Sequence, residues 1–352
     1  MSTTVTQTVE EGVAKLRLAP ENEYKYEHLL PLHNTSLKLS PLEPFEHKDP
    51  GHAALADSTP QSFLEGAKTK RLSPSFGLEV DGVDLTKLDA RERSQLALLV
   101  AQKGVVVFRN NHNFIDADPR WQINDWTTFF GRPHIHPVSG QPDGLPELHL
   151  VYRDEKQSFL RDFTSHKLTS TAIHSDVTYE LQPPGLTALF LYDTPETGAD
   201  TLFVDQTEAY NRLSPSFREY LETLEAEHSG FEQAAFAISR LGAESVKRQP
   251  VKHVHPVIRR HPVTGKKALF VNPQFTRNIV GLKQEESDAI LKLLYNHLAS
   301  GHDFQVRAQW GQPGTVVLWD NRVTAHSALE DAGIEGRRHG ARLTPQAERP
   351  TL

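Results

Sequence analysis

Short apolar runs separated by Gly, Pro, Asn and Asp fill the chain from Pro74 onward, and this pattern predicts a body built mostly of strands. The candidate strands are Val105–Phe108, Leu186–Tyr192, Thr201–Asp205, Val254–Arg259, Ala268–Val271, Thr315–Trp319 and Arg338–Leu343. Helical periodicity is clear in three stretches. Arg91–Lys103 presents an apolar face and stops at Gly104, which leads into the Val105 strand. Ser214 followed by Pro215 reads as an N-cap with proline at the first helical position, and Phe217, Tyr220, Leu221 and Leu224 then recur at helical spacing. Gln284–Ala299 repeats the pattern with Ile290, Leu293, Leu294 and Leu298, closing near Gly301. Many short strands with few helices predict a mainly β architecture, a sandwich or open barrel with helices packed outside. Residues 1–75 keep no period and are expected to form a partly irregular arm, with residues 76–352 as the globular domain.

Composition narrows the function classes. A formal charge of −7 with dispersed Lys and Arg offers no basic stripe for a phosphate backbone, and the Lys68–Arg71 run is too short to change this. Nucleic acid is therefore not an expected partner. No run of 18 apolar residues occurs and the first thirty positions are polar, so neither a membrane span nor a secretory leader is expected, and the location should be cytoplasmic. The chain has no cysteine, which leaves nitrogen and oxygen as the only metal donors and makes its 18 histidines the population to inspect.

Within Thr171–Val177, His174 and Asp176 stand two residues apart, and in an extended strand both would project from one face toward a single metal. A third ligand from elsewhere would complete the two-histidine, one-carboxylate face that leaves positions open on iron(II). The pair alone carries little weight, because His47 and Asp49 repeat the spacing in the arm, a copy we read as accidental. A strand-like run from Gly314 to Trp319, followed by polar residues and then His326, supplies a distant second histidine. Beyond it, Arg338, Gly340 and Arg342 would share one face of a strand while Arg337 points away. Two inward guanidinium groups are costly unless anions meet them, and arginine is the side chain whose fork grips a carboxylate. Solvated surface arginines are the competing reading.

The ordered motifs HSD, GADTLF, HPVTGKKALFVN, FQVR, WDNRVTAH and RRHGAR resemble the taurine dioxygenase (TauD) family, and within it the fungal sulfonate dioxygenase branch most. The resemblance runs from about Pro74 to Pro345 and leaves the arm uncovered. It implies a double-stranded β-helix, or jelly roll, of the clavaminate synthase-like type with flanking helices. It also implies an Fe(II)-dependent dioxygenase that consumes 2-oxoglutarate and O2 while hydroxylating a small anionic substrate, an organosulfonate foremost, with release of sulfite and an aldehyde. By motif position His174, Asp176 and His326 correspond to the iron ligands. Thr201, in Gly198-Ala199-Asp200-Thr201, and Arg338 correspond to the residues that hold 2-oxoglutarate, and His136 and Arg342 to those near the substrate's acidic group. Three departures point away from taurine itself: Ser139 stands where the taurine enzyme has a substrate-contacting tyrosine, Ser170 replaces an asparagine, and the region around Gln233 has lost a serine.

Alternatives remain at this stage. The same oxidation could act on an amino acid, another carboxylate or a sulfate ester. A zinc hydrolase could use the same three ligands. A non-catalytic cupin-like barrel could draw on His134 and His136 or on His253 and His255. Gly265-Lys266 is not a phosphate loop, because Lys267 stands where Ser or Thr is needed. No dinucleotide fingerprint occurs, and a homo-oligomer stays open.

Overall fold

Two sheets face each other, and the alternation of side chains along their strands decides what lies between them. The computed structural model describes residues 6–10, 13–17, 24–34, 37–154, 172–312, 314–329 and 336–352. Ten strands matter here: β1 (Lys68–Arg71), β2 (Leu78–Asp81), β3 (Val105–Arg109), β4 (His149–Arg153), β5 (Leu186–Asp193), β6 (Thr201–Asp205), β7 (Gln305–Ala308), β8 (Val316–Asp320), β9 (Thr324–Ala328) and β10 (Arg338–Leu343). The large sheet runs β1-β2-β3-β8-β5-β10-β4 and is antiparallel throughout except for β2 beside β3. The small sheet runs β7-β6-β9, and the His174 segment extends it by a backbone bridge to His326. This sheet pair with helices outside is the jelly-roll arrangement expected.

Period-two alternation explains why β3, β5 and β8 read as unbroken apolar runs. Val105, Val107, Leu189, Leu191, Val317 and Trp319 pack inward against Phe203, Val306 and Ala308 of the small sheet. Val106, Ala188, Phe190, Val316 and Leu318 face outward, where the helix Ala90–Lys103 covers them with Leu96, Leu99 and Val100. Asp89 caps that helix through a capping box with Glu92, and Gly104 ends it at φ 74°. The small sheet's outer residues Val204 and Ala325 meet Leu291, Leu294 and Leu298 of the helix Gln284–Ser300.

Several expectations need adjusting. Leu293 is 53% exposed, so the buried stripe of its helix is Ser287, Leu291, Leu294 and Leu298. In the helix Pro215–Glu222 only Leu221 is buried, Tyr220 is exposed, and Ser214 makes no capping bond. The run Val254–Arg259 divides into Lys252–Pro256 and Ile258–Arg260, which pair with different partners, because Pro256 has no N–H to continue the ladder. The strand placed at Ala268–Val271 is Lys267–Leu269.

Parts of the chain before residue 75 lie against this body. The short helix Gly51–Leu55 packs on Ala90–Lys103, and the charged β1 forms an exposed sheet edge of the kind that discourages pairing with other chains. Asp49 reaches Arg322 at 2.6 Å. Arg322, 1% exposed, also pairs with Asp320 and Glu348, and Asp320 receives His261 at 2.9 Å. This buried ionic knot sits at the turn between β8 and β9.

Candidate metal centre

His326 lies opposite Phe203 in the β6–β9 ladder and therefore faces the space between the sheets. Trp319 and Phe203 flank its ring, at centroid distances of 5.0 Å and 6.0 Å. Paired amide–carbonyl bonds of 2.9 Å and 2.7 Å tie the His174 backbone to that of His326, so one ladder sets both histidines. The Nδ1–H of His174 donates to the Ala172 carbonyl at 2.7 Å, which leaves the Nε2 lone pair free.

Asp176 lies in a turn rather than in the expected strand. Asn321 holds it there: the Asp176 N–H donates to Asn321 Oδ1 at 2.6 Å, and Asn321 Nδ2 donates to the Asp176 carbonyl at 3.1 Å. Oδ1 of Asp176 is then 3.6 Å from His174 Nε2 and 3.7 Å from His326 Nε2. Among the described residues, these three are the one group of His, Asp and Glu side chains whose donor atoms gather as a metal would need, all within 4.8 Å of one another. His47 and Asp49 form no such group. His47 lies 4.0 Å from Glu348, and Asp49 is committed to Arg322.

The donor set fits a metal. Asp176 Oδ2 and the ring nitrogens of His326 are buried without a hydrogen-bond partner, and a cation held by the carboxylate and His326 Nε2 would relieve part of that cost. Burial pushes the Asp176 carboxyl up, but Arg342 and the two imidazoles outweigh it and hold the group well below the usual carboxylate range. Burial drives His326 far down, so its imidazole is neutral. A carboxylate beside the neutral His326 imidazole is a protonation state suited to ligation, and two nitrogens with one oxygen suit ferrous iron.

On β10, Arg338, Gly340 and Arg342 share the inward face, opposite Arg153, Val151 and His149 of β4. Burial, then Arg153 and Arg342, lower the Arg338 guanidinium to about 9, against an opposing pull from Asp200. Such a cluster of cations calls for an anion. A Cβ at Gly340 would lie 2.3 Å from the Phe190 carbonyl, so the close approach of β5 requires glycine there. Thr201 is on the inward face of β6, and its hydroxyl accepts from the Trp310 indole N–H at 3.1 Å, which leaves its own O–H to donate. Arg342 Nη1 contacts Asp176 Oδ1 at 2.5 Å, placing a fixed positive charge beside the candidate ligands.

His136 is 8% exposed, and its Nδ1 accepts from the Ser139 N–H at 3.1 Å and the Ser139 hydroxyl at 2.8 Å. Ser139 thus turns back onto the histidine. Gln233 accepts from the Tyr179 hydroxyl at 2.8 Å, and Ser170 lies outside the described residues. The other histidines weighed for a cupin-like site have structural partners: His134 meets Glu180, His253 the Tyr179 carbonyl and His255 the Glu180 carbonyl.

Against known proteins, the family described as "Taurine catabolism dioxygenase TauD, TfdA family" matches residues 68–344. The chain belongs to the TauD/TfdA family. The family consists of Fe(II)- and 2-oxoglutarate-dependent dioxygenases, so the enzyme class, its metal and its co-substrates follow, and the zinc hydrolase and binding-barrel alternatives fall away. A Saccharomyces cerevisiae alpha-ketoglutarate-dependent sulfonate dioxygenase is 43% identical over 96% of this chain and 82% of the relative. A Penicillium expansum alpha-ketoglutarate-dependent dioxygenase is 38% identical over 92% of this chain and 90% of the relative. Among solved structures, a taurine dioxygenase from Burkholderia xenovorans superposes with a TM-score of 0.64 at 33% identity, covering 81% of this chain and 91% of that one.

In this TauD/TfdA protein, sequence reasoning missed Asn321, Trp310, Arg153 and His149. Asn321 stands inside the quoted WDNRVTAH motif, yet nothing in the motif tells that its amide grips another loop. Because metal sites depend on the groups that orient their ligands, Asn321→Ala is expected to weaken ferrous iron binding by about 10- to 100-fold, read by metal titration of the folded protein. Unaltered affinity would mean that the turn holds its shape without the amide.

Proposed function

We propose that this enzyme hydroxylates the carbon beside the sulfonate of a small organic anion, and that the product breaks down to an aldehyde and sulfite. The observation that carries the reading is the position of Arg342: its guanidinium touches the Asp176 carboxylate, beside a neutral imidazole at His136. A guanidinium and a neutral imidazole next to the candidate iron face would select an anionic substrate and fix which carbon comes near the metal.

In this reading His174, Asp176 and His326 hold iron(II), which when bound supplies oxygen activation coupled to loss of CO2 from 2-oxoglutarate. Arg338 pairs with the distal carboxylate of 2-oxoglutarate, and Thr201, oriented by Trp310, donates its hydroxyl to the same co-substrate. Arg342 and His136 bind the substrate's head. One atom of O2 ends in succinate and the other in the substrate's new C–OH. The hydroxysulfonate then loses its hydroxyl proton, the carbonyl forms, and the C–S bond breaks with its electron pair leaving on sulfite. No helix among the described residues is long and apolar enough to cross a membrane, and we place the reaction in the cytoplasm.

The test loads the protein anaerobically with iron(II) and 2-oxoglutarate, then adds oxygen with panels of sulfonates, sulfate esters and carboxylates. Succinate and sulfite should appear in equal amounts with a sulfonate. Succinate formation driven by carboxylates alone, with no sulfite from any sulfonate, would overturn the proposal.

A further inference from the structure

The proposed substrate site offers more polar groups than Arg342 and His136. His149 stands directly opposite Arg342 in the β4–β10 ladder and so projects from the same inward face. Its ring lies 4.5 Å, centroid to centroid, from that of His136. Part of the residue reaches the surface, and its side chain makes no hydrogen bond among the described residues, which leaves a ring nitrogen open to a ligand. Burial, then the Arg342 charge, hold its imidazole well below the ordinary value, so it enters the site neutral, with one N–H to give.

Behind His136 sits Lys247, 5% exposed and paired with no carboxylate among the described residues. Its ammonium donates to the Ser139 carbonyl at 2.6 Å and to the Gln141 side-chain oxygen, and its backbone N–H donates to the Pro137 carbonyl at 2.8 Å. Lys247 therefore grips the 137–141 turn at three points. The same turn presents the Val138 and Ser139 N–H groups to His136 Nδ1, which forces the ring proton onto Nε2. Burial, then the neighbouring Arg248, bring the lysine down to about 7. A bound anion nearby would offset that cost.

Resting on the function proposed above, we infer that His149 is a third anion-binding side chain of the substrate site beside Arg342 and His136, that Lys247 is the positioning residue for His136, and that the site is made for a head with three oxygens, a sulfonate or sulfate ester. Arg342, His136 Nε2–H and His149 supply three separate donors. The three oxygens of a tetrahedral head diverge toward donors on three sides, whereas a planar carboxylate meets all three only by bending some of the bonds away from their preferred directions, and that difference is the basis for discrimination between small anions.

The experiment uses full-length enzyme loaded with iron(II) and 2-oxoglutarate without oxygen, titrated calorimetrically with an alkylsulfonate, the matching alkyl sulfate and the matching carboxylate. His149→Leu should raise the Kd for both three-oxygen anions about ten-fold or more while moving the carboxylate and 2-oxoglutarate by less than about two-fold, and His149→Gln should recover part of the loss. Lys247→Met should raise KM for the sulfonate more than it lowers kcat, and should add nothing further in a His136→Leu background, because its effect passes through that ring. Sulfite or sulfate release on adding oxygen tells the two head groups apart. Equal losses for carboxylate and sulfonate, or none, in His149→Leu would remove its assigned role. Additive losses in the Lys247, His136 pair would remove the positioning role. A wild-type enzyme that binds carboxylates and neither three-oxygen anion would sink the underlying function as well, a distinct result.

Discussion

Asp176→Ala protein is expected to stay folded and to form no succinate above the enzyme-free rate when given iron(II), 2-oxoglutarate, oxygen and substrate, a loss on the order of 10³-fold or more. Two effects act together. The proposed metal site loses its one anionic donor, which lies 3.6 Å and 3.7 Å from the two imidazoles. Arg342 also loses the carboxylate it contacts, so an unneutralised guanidinium is left to repel the incoming cation. The fold survives because Asn321 grips the backbone N–H and carbonyl of residue 176, which the substitution keeps. Iron content, succinate yield and circular dichroism measured on one preparation check all three parts. Undiminished turnover would leave the proposed ligand set untenable.

Arg338→Met should raise the Kd for 2-oxoglutarate about 100-fold or more, since removing one partner of a buried charge pair costs about 2–5 kcal/mol. The same variant should melt at a higher temperature than the wild type when no co-substrate is present. Burial, with Arg153 and Arg342 close by, lowers the Arg338 guanidinium to about 9, so its charged form is penalised in the folded state throughout the neutral range. The penalty is present in full below that value and is relieved only above it. Wild-type protein should recover stability as 2-oxoglutarate binds, whereas the variant should show little such shift. Thermal melting with and without 2-oxoglutarate checks both halves. A less stable variant that binds the co-substrate normally would make Arg338 a structural residue.

The sequence carried the strands and the inward arginines because both follow from period-two alternation: Arg338 and Arg342 do share a face, and β3, β5 and β8 are apolar on both sides because both sides are covered. Asp176 approaches His174 for another reason than strand alternation, since a turn held by Asn321 delivers it. Loop-to-loop grips of that kind leave no periodic trace. The strands β4 and β9 escaped notice because their inward positions, His149, Arg153 and His326 among them, are polar residues that face the proposed site, so the usual alternation of apolar and polar positions is absent. The exposed Leu293 shows the reverse case, in which an apolar residue at helical spacing lies just off the buried stripe.

The knot around Arg322 ties distant stretches of chain to the metal's neighbourhood. Asp320 and Arg322 bracket Asn321, so the amide that steadies Asp176 is itself braced by Asp49 from one side and Glu348 from the other. Early and late segments of the polypeptide therefore both stand behind the aspartate's position. Detaching either end of the chain from this knot is thus expected to weaken metal binding at the proposed iron site, because the support behind Asp176 comes from both.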